Sequence, residues 1–85
     1  METTGADRDL NILNEILCRM LNRQEVSADV DIYQAGLTSI MVLPLLAELE
    51  EAFHVAIPDS DFLDARTPRD LVHMIGRIRN AQSSN

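Results

Sequence analysis

An all-α fold, a four-helix bundle of three main helices and one short helix, is predicted by three features of this 85-residue sequence. Apolar residues recur at three- and four-residue spacing in three separate stretches. No stretch alternates apolar and polar residues with period two, so no strand is predicted. Helix-start chemistry stands at the head of the later stretches, most clearly in Thr67-Pro68-Arg69-Asp70.

The first helix is expected from about Asp7 to Asn22. Leu10, Leu13, Leu17 and Met20/Leu21 form its stripe, which Ile16 widens. Asp7 and Asp9 at its start and Arg19 and Arg23 near its end both favour the helix dipole. Met1 to Asp7 reads as a frayed leader. Gln24 to Leu37 follows neither period and forms a long loop between helices one and two. Val26, Val30, Ile32 and Tyr33 are expected to pin it across the core. A loop of that length inside a compact domain is commonly functional.

Thr38 or Ser39 caps the second helix, because a short polar side chain before an apolar run can accept its first free N–H groups. Val42, Leu45, Leu46, Leu49 and Phe53 form the inward stripe. Met41 and Pro44, with Glu48 further along, are assigned to the opposite face. Pro44 removes one hydrogen bond and crowds the carbonyl of Ile40, so a local distortion is expected there. His54 to Pro58 ends the helix. Asp59 to Asp64 forms one short turn that carries Phe62 and Leu63 inward. The last helix starts with Thr67 as cap, Pro68 at the first position and Asp70 closing a capping box. Leu71, Val72, Ile75 and Ile78 supply its stripe, Arg77 and Arg79 its last turn, and Ala81 to Asn85 a polar tail. The reading is one domain over residues 1–85, ordered from about 8 to 80.

The formal net charge is −7, with seven arginines and no lysine. That field repels phosphate backbones and anionic membrane surfaces and suits a partner with a basic patch. One cysteine, Cys18, allows no internal disulfide and implies a reducing compartment. No signal peptide is recognised, and the longest strongly apolar run, Ile40 to Ala47, is too short to span a bilayer. A cytoplasmic location follows as the expectation.

Few residues suggest chemistry. No nucleotide-binding glycine pattern and no metal-binding histidine pair is present. His54 and His73 read as polar residues near helix ends. Asp59, Asp61 and Asp64 lack the glycine and closing glutamate of a calcium loop and read as solvated charge. Cys18 reads as a half-buried helix residue. Ser39 stands apart. A helix cap explains it, yet its setting also suits a phosphodiester linkage. A helix start offers free N–H groups and a positive dipole end, and Gly36 permits either a close approach by the loop or a positive φ.

Asp31-Ile32-Tyr33-Gln34-Ala35-Gly36-Leu37-Thr38-Ser39-Ile40, followed by Leu45-Leu46-Ala47-Glu48-Leu49-Glu50-Glu51-Ala52-Phe53, resembles the core of acyl and peptidyl carrier proteins. Ile57-Pro58 and Thr67-Pro68-Arg69-Asp70-Leu71 also sit where that family has an Ile-Pro and a Thr-initiated last helix. The resemblance runs from near Leu10 to near Ile78. It implies a four-helix bundle that is not an enzyme. It implies that a separate phosphopantetheinyl transferase moves 4′-phosphopantetheine from coenzyme A onto the Ser39 hydroxyl, using Mg²⁺. The arm's thiol would then hold a cargo as a thioester and present it to a loading enzyme, such as an adenylating enzyme, and to downstream synthase enzymes. Carriers of this kind usually work as monomers.

Fatty-acid-type carriers have Asp immediately before the serine, where this chain has Thr38. That departure resembles peptidyl and stand-alone aminoacyl carriers. Thr38, Ile40, Met41, Pro44 and Glu48 are the candidate partner-docking residues around Ser39. The expected role is a carrier of an aminoacyl or small acyl load in nonribosomal-peptide or polyketide-type metabolism. A fatty-acid-type carrier is one alternative. An acidic helical adaptor, with Ser39 only a helix cap, is the other.

Overall fold

The chain, described from a computed structural model over residues 5–83, folds as four helices: α1 (Gly5–Leu21), α2 (Ser39–Phe53), α3 (Asp59–Asp64) and α4 (Pro68–Ser83). No strand occurs among the described residues. The four elements are those expected from the sequence. The expected leader, residues 1–7, and tail, residues 81–85, lie outside the described residues only at 1–4 and 84–85.

α1 and α4 both run further than expected. α1 begins at Gly5 and α4 continues to Ser83, so residues 81–83 are helical and Arg77 and Arg79 lie inside the helix. The reason is mutual support. α1 packs against α4 as well as α2, and buried Asp9 of α1 accepts a hydrogen bond from Arg79 of α4 at 3.2 Å. A helix end held by a packed neighbour does not need local propensity to persist.

α1 closes with Asn22 in the left-handed region (φ 58°), and the Arg23 N–H reaches back to the Cys18 carbonyl at 3.0 Å. α2 closes in the same way. His54 takes φ 58°, and the Val55 N–H bonds to the Glu50 carbonyl at 3.2 Å. Both are Schellman-type ends that satisfy otherwise free carbonyls.

The core is one cluster. Leu13, Ile16 and Leu17 of α1 meet Leu45, Leu46, Leu49 and Phe53 of α2 and Leu71, Val72, Met74 and Ile75 of α4. Val26, Ile32 and Leu37 join it from the long connection, as Val55 and Ile57 do from the α2–α3 turn. The connection is therefore a strap across the bundle, although Val30 and Tyr33 are only half-buried. Pro44 lies within α2, which continues through it without a break.

α3 departs from expectation in one respect. Phe62 is buried, but Leu63 is 60% exposed. Adjacent residues of a helix diverge by about 100°. A six-residue helix at the edge of the bundle turns one narrow face inward, and the larger ring takes it.

α4 starts as the sequence indicates. The Thr67 hydroxyl accepts the Asp70 N–H at 3.0 Å, and Pro68 is the first helical residue. The Asp70 carboxylate reaches past the cap and accepts the Arg66 N–H at 3.2 Å. Among the described residues no helix is long and apolar enough to cross a membrane.

Candidate functional site

The site is the junction between the strap and α2. Asp31 organises the last turn of the strap. Its Oδ1 accepts the N–H groups of Tyr33 (2.9 Å) and Gln34 (3.4 Å), and its carbonyl accepts that of Ala35 (2.9 Å). This is an Asx-type turn, in which a short carboxylate substitutes for a backbone acceptor. Asp31 Oδ2 also receives the Arg66 guanidinium at 2.9 and 3.3 Å. That hydrogen bond, with two more from the backbone, holds the Asp31 carboxyl below the usual aspartate range. The same guanidinium lies 4.9 Å over the Tyr33 ring.

The strap is stapled on two sides. Arg23, just beyond α1, donates from Nε to the Ala35 carbonyl at 2.7 Å. At the α3–α4 junction, the Ile32 N–H bonds to the Arg66 carbonyl (2.8 Å) and the Arg69 N–H to the Ala28 carbonyl (2.9 Å). The Arg69 side chain also holds Asp29 through both carboxylate oxygens, at 2.8 and 3.2 Å.

Gly36 then turns the chain with φ +127°, a conformation that side chains with a Cβ rarely adopt. Space is not what demands glycine here, since an added Cβ would meet only Leu21 Cδ2, at 3.9 Å. Leu37 is buried, and its N–H bonds to the Ile32 carbonyl at 3.0 Å. With Leu37 anchored, the chain emerges at Thr38, extended at φ −112° and ψ 166°.

Thr38 is the cap residue of α2, and Ser39 is the first residue inside it. Of the two candidates, then, the capping place belongs to Thr38. Its carbonyl accepts the Met41 N–H at 3.0 Å, and its own N–H points to the Met41 sulfur at 3.4 Å. Ser39 is exposed. The first turn of α2 contains no acidic residue, so the positive end of the helix is left uncompensated by the chain. An exposed hydroxyl at such a place can be reached by a modifying enzyme. The local field stabilises a negatively charged substituent on it.

The other expected residues separate into two groups. Thr38, Ile40 and Pro44 are exposed around Ser39, with Ile40 at 85%. Met41 and Glu48 do not share the face opposite Leu45 and Leu49. Met41 is half-buried against the core. Glu48 is gripped by Arg19 of α1 at 2.8 and 3.1 Å, which holds its carboxyl below the usual glutamate range. The helical period puts Ile40, Leu43, Pro44 and Ala47 on the outer face, and all four are exposed.

Leu43 (70% exposed) was not singled out by sequence, and Leu63 was expected to face inward. Leu43 follows Ser39 by four positions and Ile40 by three, a spacing that was available to find it. With Val42, Leu46, Asp59 and Phe62 these two leucines line a cleft of about 110 Å³ between α2 and α3.

The remaining candidates are dispersed. His54 forms the exposed turn after α2, His73 stands exposed on α4, and Cys18 is half-buried on α1. Among the described residues no group of three or more His, Cys, Asp or Glu could hold a metal ion.

Residues 11–75 match the family model described as a phosphopantetheine attachment site. No curated protein matches the chain.

Proposed function

The chain belongs to the phosphopantetheine-attachment family, whose members carry a covalent 4′-phosphopantetheine, and on that premise we propose that Ser39 is its attachment residue. The observation that carries this assignment is the exposed Ser39 hydroxyl at the first position of α2, outside the cap. Carrier domains are generally non-catalytic and are modified by a separate transferase. The residues here suit that division of labour. Asp31, Arg23 and Arg66 fix the strap, Gly36 turns it, Leu37 anchors it, and Thr38 ends it. The start of α2, with no acidic residue in its first turn, would favour the negative charge of a phosphodiester on Ser39.

The arm supplies a terminal thiol on which a load rides as a thioester. The tether raises the load's local concentration at each partner. Thr38, Ile40, Met41, Pro44 and Glu48 surround the serine as the proposed partner-facing set. Within it, Ile40 and Pro44 offer apolar surface, and Glu48 acts with its charge partly satisfied by Arg19.

We assign an aminoacyl or small acyl load and a role in nonribosomal-peptide or polyketide-type metabolism, as a single carrier domain working with a transferase, a loading enzyme and synthase enzymes. Two observations support a small load. Thr38 brings no charge next to Ser39, and no carboxylate stands in the first turn of α2. The cleft between α2 and α3, about 110 Å³, is smaller than the cavity of about 150 Å³ that holds one benzene.

Co-expression with a broad-specificity phosphopantetheinyl transferase, followed by intact-mass measurement, tests the attachment. The expected result is a gain of one phosphopantetheine that Ser39→Ala abolishes. No gain leaves the adaptor reading in its place, and a gain that survives the substitution overturns Ser39 as the attachment residue. Incubating the arm-bearing form, its thiol free, with adenylating enzymes for amino acids and for fatty acids tests the cargo, and a long fatty acyl load would overturn the assignment.

A further inference from the structure

A separate cavity opens where the strap leaves α1. It holds about 310 Å³, nearly three times the α2–α3 cleft, and reaches the size at which small-molecule sites begin. Val26, Val30 and Ala35 give it an apolar lining, the first and last of them buried. Arg23 and Glu25, both exposed, bring opposite charges to it, and Ser27 brings a hydroxyl.

The two charges do not neutralise each other. Among the described residues no ion pair joins Arg23 to Glu25, and Glu25 has no partner of its own. Arg23 commits only Nε, to the Ala35 carbonyl at 2.7 Å, so its two Nη groups are left to donate. Ser27 Oγ accepts the Asp29 N–H at 3.3 Å and keeps its own proton to give. One small cavity therefore offers a carboxylate acceptor, guanidinium donors and an apolar wall.

An arm on Ser39 reaches this place. Ala35 lines the cavity and precedes Ser39 by four residues, so their Cα atoms lie at most about 14 Å apart. An extended phosphopantetheine covers that distance, and exposed Gly36 has no side chain to block an arm laid back along the stretch.

We infer that this cavity receives the loaded end of the arm and that it selects an aminoacyl load. The inference rests on the carrier reading, with Ser39 as attachment residue, and adds the class of load and where it rests. An amino acid held as a thioester presents a cationic α-ammonium beside a carbonyl oxygen. The Glu25 carboxylate meets the ammonium, Arg23 Nη donates to the carbonyl, and a small apolar side chain covers Val26 and Val30. A simple acyl load has the carbonyl and nothing for Glu25. The larger cavity thus takes what the α2–α3 cleft is too small to hold.

The test compares two loads that differ only in the amine. A broad-specificity transferase installs arms from coenzyme A analogues that carry alanyl or propionyl through an amide in place of the thioester, so neither load hydrolyses. Two-dimensional ¹H–¹⁵N spectra of the two loaded chains are read against the chain with an unloaded arm. Alanyl is expected to shift the Val26, Ser27 and Ala35 amides and the Arg23 Nε–H about threefold further than propionyl, the scale of one exposed ion pair. Glu25→Gln should bring the alanyl shifts down to the propionyl level. Equal shifts from the two loads, or none at these residues, would overturn the inference and leave the carrier reading intact. An arm that fails to attach to the wild type would remove both. Should Glu25→Gln disturb the strap, the alanyl–propionyl comparison on the unchanged chain decides alone.

Discussion

Arg19 and Glu48 join α1 to α2 through a two-pronged ion pair: Nη2 lies 2.8 Å from Oε1, and Nη1 lies 3.1 Å from Oε2. The Arg19 hydrogen bond, with its charge, holds the Glu48 carboxyl below its ordinary value near 4.5 against a smaller opposing effect of burial. A carboxyl with a lowered folded-state pKa stabilises the fold fully above its unfolded value, and that contribution fades as pH falls through the folded value. Glu48→Gln is therefore expected to be less stable than the wild type at pH 7. The gap in urea midpoint should close as pH falls below the ordinary glutamate value and through the lowered folded-state value. The pair is partly exposed, with side chains 62% and 35% accessible, so the gap is small and shrinks with added salt. A gap that holds constant with pH would remove the pair as its cause.

The two neighbouring residues Phe62 and Leu63 differ sharply in what they do for stability. Phe62 is 1% exposed inside the core cluster, and Leu63 is 60% exposed. Phe62→Ala should cost about 3–5 kcal/mol, a large share of what a domain of this size has. Leu63→Ala should stay within about 0.5 kcal/mol. Urea unfolding of the two variants measures both. Equal losses would mean that both residues face the core.

That pair also shows where sequence legibility ended. The three long helices were readable because Leu13, Leu17, Leu45, Leu49, Leu71 and Ile75 repeat at helical spacing, and because Thr67-Pro68 marks a start. A repeat needs more than one turn to define a face. α3, at six residues, has no such repeat, so only packing could decide between Phe62 and Leu63. The site followed the same rule. Ser39 and Gly36 stood out by their local chemistry. Arg19 and Glu48 are 29 residues apart, and Arg66 and Asp31 are 35 apart. No period or motif announces a contact between such distant positions. The full length of α1 and α4 was hidden for the same reason, since Asp9 and Arg79 meet only in the folded bundle.

The start of α4 depends on one hydroxyl. Thr67 Oγ1 accepts the Asp70 N–H at 3.0 Å, and Asp70 in turn accepts the N–H of Arg66. Thr67→Ala removes the acceptor and should cost about 1 kcal/mol, whereas Thr67→Ser should retain most of the stability. Arg66 and Arg69 flank this cap and hold Asp31 and Asp29 of the strap. Amide exchange in residues 28–35 should therefore quicken in the alanine variant along with that of the first turn of α4. Unchanged protection in the strap would show that the cap and the strap are independent.

Two glycines make opposite predictions. Gly36 has φ +127°, and an alanine there would be strained even though its Cβ has room beside Leu21. Gly36→Ala should cost about 1–2 kcal/mol through backbone strain alone. Gly76 lies within α4, and an added Cβ there meets nothing within 4 Å. Gly76→Ala should stabilise the chain by about 0.5–1 kcal/mol, because alanine loses less backbone freedom in a helix. Relief of strain at residue 36 would have to shift the adjacent buried Leu37, which sets where the chain emerges towards Ser39, three residues on from Gly36. Gly36→Ala is thus expected to slow modification of Ser39 as well as lower the unfolding midpoint. Combining it with Gly76→Ala should restore the midpoint in part and leave the modification rate low. Recovery of both together would show that Gly36 acts on Ser39 only through global stability.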